Sequence, residues 1–269
     1  MSKLPFKAIA VDMDGTFMTD KQDFNQAKFE QILAQLRQQG AHFIIASGRP
    51  IGKIQKDFAP YLDRINIVAE NGGLLYRDNQ LLARYSLSKE TTPKLLQFIE
   101  ENYPQVEIFV SAVNHSYMKK STSQEFIDFM TYYYPERILV DDFLGVDDEI
   151  IKLTLRMPVE LSSQMEAEFN QINPEKVHFT SSGYNTVDVI PSEVNKASGL
   201  KYFLDYFKLT SDDLIAFGDD FNDLEMLQLA KYGYVMANGN PELFQYTDYR
   251  APSNNDNGVL QVLEQYLAE

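Results

Sequence analysis

Ala8-Ile9-Ala10-Val11-Asp12-Met13-Asp14-Gly15-Thr16 decides how this chain of 269 residues is read. Four apolar residues in a row read as a buried strand. In extended backbone, residues two apart point to the same side, so Asp12 and Asp14 stand together just beyond its end. Gly15 lets the chain turn sharply away. Of such a pair, one carboxylate can attack an electrophile while its neighbour moves a proton, and the two can share a divalent cation. Calcium loops of the EF-hand type open with the same letters, but they follow a helix and end in Glu at position twelve. Here position five is Thr16 and position twelve is Asp23, so a calcium loop is not expected. A purely structural Asp-Gly turn is the remaining plain reading.

Outward from this strand, the chain alternates strand and helix signals. Phe6–Val11 reads as the strand, and Phe29, Ile32, Leu33 and Leu36 share one helical face that Gly40 ends. His42–Ala46 and Ile65–Ala69 are further strands, and 74–76 with 81–85 reads as a hairpin. Strands joined through helices predict right-handed crossovers and a parallel sheet covered on both faces. From about Leu87 the order changes. A helix carrying Leu95, Leu96, Ile99 and Tyr103 leads to the strand Val106–Val110, then a helix near Gln124–Tyr133 and the strand Ile150–Arg156. A helix with Leu161, Met165, Phe169 and Ile172 and the strands Val177–Thr180 and Thr186–Ile190 complete this α+β stretch. After Pro191 the first pattern returns, with the helix Ala197–Phe207, the strand Leu214–Phe217, the helix Leu224–Ala230, the strand Tyr234–Met236 and a last helix with Val259, Leu260, Val262 and Leu263. The expected fold class is α/β. A Rossmann-like parallel-sheet core (residues 1–84 and 190–269) is interrupted by an inserted α/β domain of α+β order (residues 85–189).

Composition narrows the function. The chain is 44% apolar, which supports a real core, and has no cysteine, which excludes disulfides and thiolate metal sites. Its apolar N-terminal run is broken by Pro5 and Lys7 and stops at Asp12, unlike a signal peptide or a membrane span. A soluble cytoplasmic protein with no membrane partner is expected. A net charge of −15 argues against nucleic acid, whose phosphates need a basic face. The acidity is concentrated in residues 85–189, where 17 Asp and Glu face 8 Lys and Arg, a net of −9; the rest carries 22 against 16, a net of −6.

In a parallel sheet, ligands gather beyond the carboxyl ends of the strands, and each remaining signal lies at such an end. Ser47-Gly48-Arg49-Pro50 follows one strand and offers a hydroxyl, an accessible N–H and a cation, a set able to hold a phosphoryl oxygen; a plain helix cap by Ser47 is the alternative. Gly218-Asp219-Asp220-Phe221-Asn222-Asp223 follows another, with more acidic groups than helix capping needs. Lys196 opens a helix, where a cation opposes the helix dipole, so an anionic partner is expected.

These motifs, in this order, resemble the haloacid dehalogenase superfamily of phosphohydrolases, and within it the Cof-type (type IIB) subgroup with a large cap between the second and third motifs. Glu70-Asn71-Gly72-Gly73 and Met236-Ala237-Asn238-Gly239-Asn240 are similar to two further elements of the subgroup. The resemblance implies that Asp12 is the nucleophile that forms an aspartyl-phosphate, and that Asp14 protonates the leaving group and then activates water. It implies Mg²⁺ held by Asp12, the backbone carbonyl of Asp14 and Asp219, with Asp223 acting through water or a neighbour. It also implies that Met13, Ser47, Gly48, Lys196 and Asn222 hold the phosphoryl oxygens. Substrate contacts are expected from Arg49, Asn71, His115 and Tyr184, the last two in polar loops of the inserted domain that also carry Asn114, Tyr117, Ser181, Ser182 and Gly183.

The expected activity is therefore Mg²⁺-dependent hydrolysis of small phosphomonoesters, such as sugar phosphates or phosphorylated cofactors like flavin mononucleotide and pyridoxal phosphate. The inserted domain would close as a lid. A phosphomutase and a non-catalytic phosphoacceptor module are the alternatives. A monomer or a homodimer fits equally.

Overall fold

A computed structural model describes residues 4–183 and 185–268. In chain order it contains the strand β1 (Ala8–Val11), the helix α1 (Gln26–Gln38), β2 (His42–Ala46), α2 (Ile51–Asp57), β3 (Asn66–Ala69), and the hairpin β4 (Leu74–Arg77) and β5 (Gln80–Arg84). Next come α3 (Thr91–Asn102), β6 (Glu107–Ala112), β7 (Ser116–Lys119), α4 (Gln124–Tyr133), β8 (Ile138–Val140), β9 (Ile150–Arg156), α5 (Ser162–Ile172), β10 (Val177–Gly183) and β11 (Thr186–Pro191). The chain finishes with α6 (Lys196–Phe207), β12 (Leu214–Gly218), α7 (Leu224–Leu229), β13 (Tyr232–Met236), β14 (Tyr249–Ala251) and α8 (Gly258–Ala268).

Two compact units result. The first holds the residues up to Ser47, Phe58–Leu82 and those from Asn195 on; the second holds Gly48–Asp57 and Ala83–Val194. The boundaries expected from sequence differ here, because they place residues 48–57 in the first unit. Contacts of this segment within the second unit include the Lys152 ammonium donating to the Gly48 carbonyl at 2.8 Å and Lys53 sitting 4.9 Å above the Tyr132 ring.

The first unit is built on an eight-stranded sheet in the order β14-β13-β12-β1-β2-β3-β4-β5. The strands from β14 to β3 are parallel, and β4 runs antiparallel to β3. The chain leaves β1 toward β2 and β3, then returns to its other side at β12, so the switch in strand order falls beside β1. That is where an open α/β sheet leaves a crevice for a ligand. Every residue of β1 is buried, as a central parallel strand requires. On α1, Phe29, Ile32, Leu33 and Leu36 are buried, and Asn25 caps its start by accepting the Lys28 N–H. Phe29 packs edge-on against Phe43 and Phe17, with ring centroids 5.0 and 5.1 Å apart, so the turn after β1 is anchored in the core through Phe17.

The second unit is a six-stranded sheet in the order β10-β11-β9-β6-β7-β8, antiparallel except for the β7–β8 pair. Alternation along the strands divides its faces. Val110, Leu153, Leu155, Val187 and Val189 pack with Leu95, Leu96 and Ile99 of α3 and Met165 and Phe169 of α5. Phe109 and Met118 pack on the opposite face with Phe126, Ile127 and Met130 of α4.

The strands β7, β8 and β14 and the helix α2 go beyond the sequence expectation; each is at most seven residues long, too short for a periodicity to stand out. Two segments expected as loops pair as strands instead. Tyr117 lies on β7, and Ser181, Ser182 and Gly183 lie on β10, because pairing with β11 outweighs their polar, turn-like character. The first strand begins at Ala8 rather than Phe6.

Candidate active site

The site begins with the register of three neighbouring strands. Val11 pairs with Phe217 on one side and Ile45 on the other, so the carboxyl ends of β1, β2 and β12 come level. Asp12 donates its N–H to the Phe217 carbonyl at 3.0 Å and then leaves the ladder. Asp14 (φ −74°, ψ 127°) and Gly15 (φ 72°, ψ −5°) form the two central positions of a type II turn, whose second position needs positive φ. A Cβ on Gly15 would stand 2.3 Å from Asp219 Oδ2, so this glycine also makes room for the neighbouring acid.

Asp12 (6% exposed), Lys196 (1%) and Asp223 (0%) are buried together. The Lys196 ammonium donates to Asp12 Oδ1 at 2.7 Å and to Asp223 Oδ1 at 2.6 Å. Asp223 Oδ2 accepts the backbone N–H of Asp219 at 2.9 Å and of Asp220 at 3.3 Å. Asp219 Oδ1 accepts the Thr16 hydroxyl at 2.8 Å. Oxygens of Asp12, Asp219 and Asp223 lie within 4.8 Å of one another. Lys196 is delivered by its helix: Asn195 caps α6 by accepting the Ser198 N–H at 2.8 Å, while Ser198 Oγ accepts the Asn195 N–H at 3.0 Å. Gly72 (φ 109°) presses on this cap, and a Cβ there would meet the Asn195 carbonyl at 2.4 Å. The Glu70–Gly73 element thus braces the start of the lysine's helix.

The charges do not balance. Burial pushes the Asp12 carboxyl up to about 7; Lys196 opposes the rise, while Asp223 and Asp14 add to it. Asp219 is pushed up to about 8, by burial first and then by Asp12 and Asp223. Burial pulls Lys196 down, but Asp12 and Asp223 outweigh it and hold the lysine above its usual range. Fully ionised, three carboxylates against one ammonium leave two negative charges. The donor set is all carboxylate oxygen, suited to a hard divalent cation, and such a cation would cancel the excess.

The sequence pattern of the haloacid dehalogenase-like hydrolases matches residues 9–263. The chain belongs to that family. It is 30% identical over 264 residues to a 5-amino-6-(5-phospho-D-ribitylamino)uracil phosphatase of Escherichia coli (strain K12), covering 98% of this chain and 97% of the relative. A phosphatase of the same name from Bacillus subtilis (strain 168) is 23% identical, with 97% of each chain covered. The crystal structure of a protein from Streptococcus mutans UA159 superposes with a TM-score of 0.93 at 35% identity, covering 98% of this chain and all (100%) of that one. This haloacid dehalogenase-like hydrolase is accordingly a phosphoric monoester hydrolase acting on a small phosphorylated substrate. Among the described residues, no helix is long and apolar enough to cross a membrane.

Asp14 contributes no carboxylate to the acidic cluster; its Oδ1 accepts from Gln22 Nε2 at 3.2 Å. Met13 is buried directly after Asp12. Ser47 is buried at the end of β2; it donates its N–H to Val68 and accepts the Asn71 N–H at 3.0 Å, so Asn71 (φ 55°) lies beside the serine loop. Asn222 is half-buried on the turn Phe221–Asp223. Gly48, Arg49 and His115 belong to the second unit. Arg49 is buried and pairs with Asp57 at 2.8 Å, and His115 is an exposed turn residue whose Nδ1 lies 3.5 Å from Asp148. Tyr184 lies outside the described residues.

Sequence reasoning gives no role to Thr16 or Asn238. Thr16 stands in the first motif, two residues beyond Asp14, and its contact with Asp219 spans 203 positions. Asn238 donates from Nδ2 to the Gly15 carbonyl at 2.7 Å, and the Asn240 N–H donates to the Asp219 carbonyl at 2.7 Å. The late asparagine–glycine loop thereby grips both sides of the acidic cluster.

Proposed function

We propose that this hydrolase cleaves small phosphomonoesters through an aspartyl-phosphate on Asp12, with Mg²⁺ as cofactor. The observation that carries this reading is the cluster of Asp12, Asp219 and Asp223 at Lys196, with Asp12 and Asp223 buried and Asp219 half-buried. A phosphate dianion would be repelled there unless a cation reversed the field. Asp12 and Asp219 would hold the ion, joined by the Asp14 carbonyl, with Asp223 acting behind them. When bound, Mg²⁺ supplies positive charge that offsets the phosphoryl oxygens in the transition state.

The chain's own groups do the rest. An Asp12 carboxylate oxygen attacks phosphorus, and the P–O bond to the alcohol breaks. Asp14 gives its proton to the departing oxygen, then takes one from the water that attacks the acyl phosphate, which frees Asp12 and inorganic phosphate. Lys196 holds Asp12 in place and, with Ser47, the Gly48 N–H, the Met13 N–H and Asn222, would hold the phosphoryl oxygens. Arg49, Asn71, His115 and Tyr184 are proposed to touch the substrate. The second unit is read as a cap, with its boundaries near residues 83 and 194.

For the substrate we propose a phosphorylated polyol or sugar, alone or attached to a heterocycle. The names of two relatives point to the phosphoribityl-aminouracil itself, and flavin mononucleotide and pyridoxal phosphate share parts of that chemistry. A cytoplasmic enzyme, monomeric or homodimeric and without nucleic-acid or membrane partners, fits its composition. The test is phosphate release from 5-amino-6-(5-phospho-D-ribitylamino)uracil, flavin mononucleotide, pyridoxal phosphate and sugar phosphates, with Mg²⁺ and with EDTA. Metal-dependent release that Asp12→Asn abolishes is expected; full turnover in EDTA, or in that variant, overturns the reading.

A further inference from the structure

The sheet of the second unit ends at β8, which pairs with β7 and, among the described residues, with no other strand. An open edge of this kind invites a further strand, and proteins commonly blunt it with charge, proline or a bulge. β8 instead presents Ile138 and Leu139, 41% and 44% exposed, and Leu144 in the turn beyond it is exposed as well. Its backbone is also directed outward. The Val140 carbonyl points at β7, where it accepts the N–H of Lys120 at 2.8 Å. Direction alternates along a strand, so Leu139 turns its N–H and carbonyl to the open side. Arg137 and Asp141 flank Leu139 on the same face with opposite charges. Among the described residues, Arg137 Nε is buried without a hydrogen-bond partner. Asp141 meets Lys120 at 2.9 Å, but both side chains are largely exposed, and such a pair contributes little.

We propose that β8 is a docking surface for a second copy of this chain, the two strands pairing antiparallel about a twofold axis at Leu139. A twofold interface sets one surface against itself. Leu139 then exchanges both backbone hydrogen bonds with the partner's Leu139, and Ile138 lies beside the partner's Val140. Each Arg137 stands across from the partner's Asp141, so opposite charges meet at both ends of the paired strands. Moving the axis by two residues would set Arg137 against Arg137, or Asp141 against Asp141, and like charges across a strand pair destabilise it. Moving it by one residue would bring backbone groups that face β7 to the partner. Past Asp141 the chain turns off the edge, where Asp142 accepts the N–H of Leu144 at 2.9 Å. A strand this short makes a small interface, so the dimer dissociates on dilution.

The experiment is sedimentation velocity on the full chain from about 1 to about 500 µM, the range in which a small interface forms and dissociates. A reversible monomer–dimer equilibrium is expected. Arg137→Asp and Asp141→Arg should each raise the dimer Kd by roughly tenfold, because each turns two attractive pairs into repulsive ones. The double swap restores opposite charges across the axis and should return Kd to within about threefold of the native value. A second measurement does not depend on the swapped charges. The chain has no cysteine, so Leu139→Cys carries a single thiol, and a short bismaleimide should link two copies through it. Tyr249→Cys, on the edge strand β14 of the first unit, should not be linked. An unchanged Tm shows that a variant is folded, and if a charge variant is not, the cysteine pair decides. A native chain that stays monomeric with Leu139→Cys unlinked overturns the proposal. So does a dimer that both single swaps leave intact, that the double swap fails to restore, or that is linked at Tyr249→Cys and not at Leu139→Cys.

Discussion

Among the described residues, each unit of the molecule buries a lysine against acidic groups, and the two centres are built differently. In the second unit, Lys152 and Asp188 (4% and 1% exposed) pair at 2.7 Å, with the Thr154 hydroxyl donating to Asp188 at 2.6 Å and Lys152 donating to the Gly48 carbonyl. There a cation faces an anion, with a hydroxyl and a backbone carbonyl beside them, as a buried ion pair requires. In the first unit, Lys196 faces Asp12 and Asp223 while Asp219 stands within the same cluster, and burial and mutual repulsion push Asp12 and Asp219 up to about 7 and about 8. The Lys196 centre gathers more acid than its lysine offsets, which is the pattern of a site that works on a ligand.

Removing the nucleophile should have the largest effect. Asp12→Asn is expected to lower phosphate release by at least about 10³-fold, since the bond-forming oxygen is lost. Substitution of the lysines follows. Lys196→Met and Lys152→Met should each destabilise the fold by about 3–5 kcal/mol, because removing one partner leaves a buried charge unpaired. Only the first should be rescued by Mg²⁺, as read from urea midpoints with the metal and with EDTA. Equal rescue of both variants would erase the distinction between the two centres.

A third expectation concerns pH. In the metal-free fold, Asp12 and Asp219 keep protons up to about 7 and about 8, whereas an unfolded chain loses them near about pH 4. The folded state therefore binds more protons over that interval, and stability falls as pH rises through it. In EDTA, Tm should be lower at about pH 8.5 than at about pH 6, by on the order of 5 °C. Mg²⁺ should shrink the difference because it competes with those protons, and Asp219→Asn should flatten it. A profile that stays flat with EDTA contradicts the charge imbalance. The smallest effect is at Gly15. Gly15→Ala should cost about 1–2 kcal/mol for its positive φ, and should lower activity further by displacing Asp219. Unchanged kcat in that variant would mean that Asp219 can move without consequence.

Much of this was legible along the chain. The apolar run of β1, the helical face of α1 and the return of the same pattern after Pro191 identified an interrupted α/β core, because burial on both faces leaves a strong local pattern. The acidic and hydroxyl motifs stood at strand ends, where a parallel sheet presents its ligands. The second unit was less legible: β7 and β8 are four and three residues long, and the polar Ser181–Gly183 stretch reads as loop until its partner strand is known.

Local pattern marked the candidate residues and the order in which they occur, since strand, turn and cap preferences act over a few neighbours. Which groups meet belonged to the folded chain. Thr16 on Asp219, Asn254 on Asp20, Lys152 on Gly48 and Gly72 against Asn195 join positions between 104 and 234 apart, and no local preference encodes them. The raised acids of Asp12 and Asp219 have the same origin: desolvation and charge repulsion exist only once the sheet has brought distant carboxylates together and excluded water from around them.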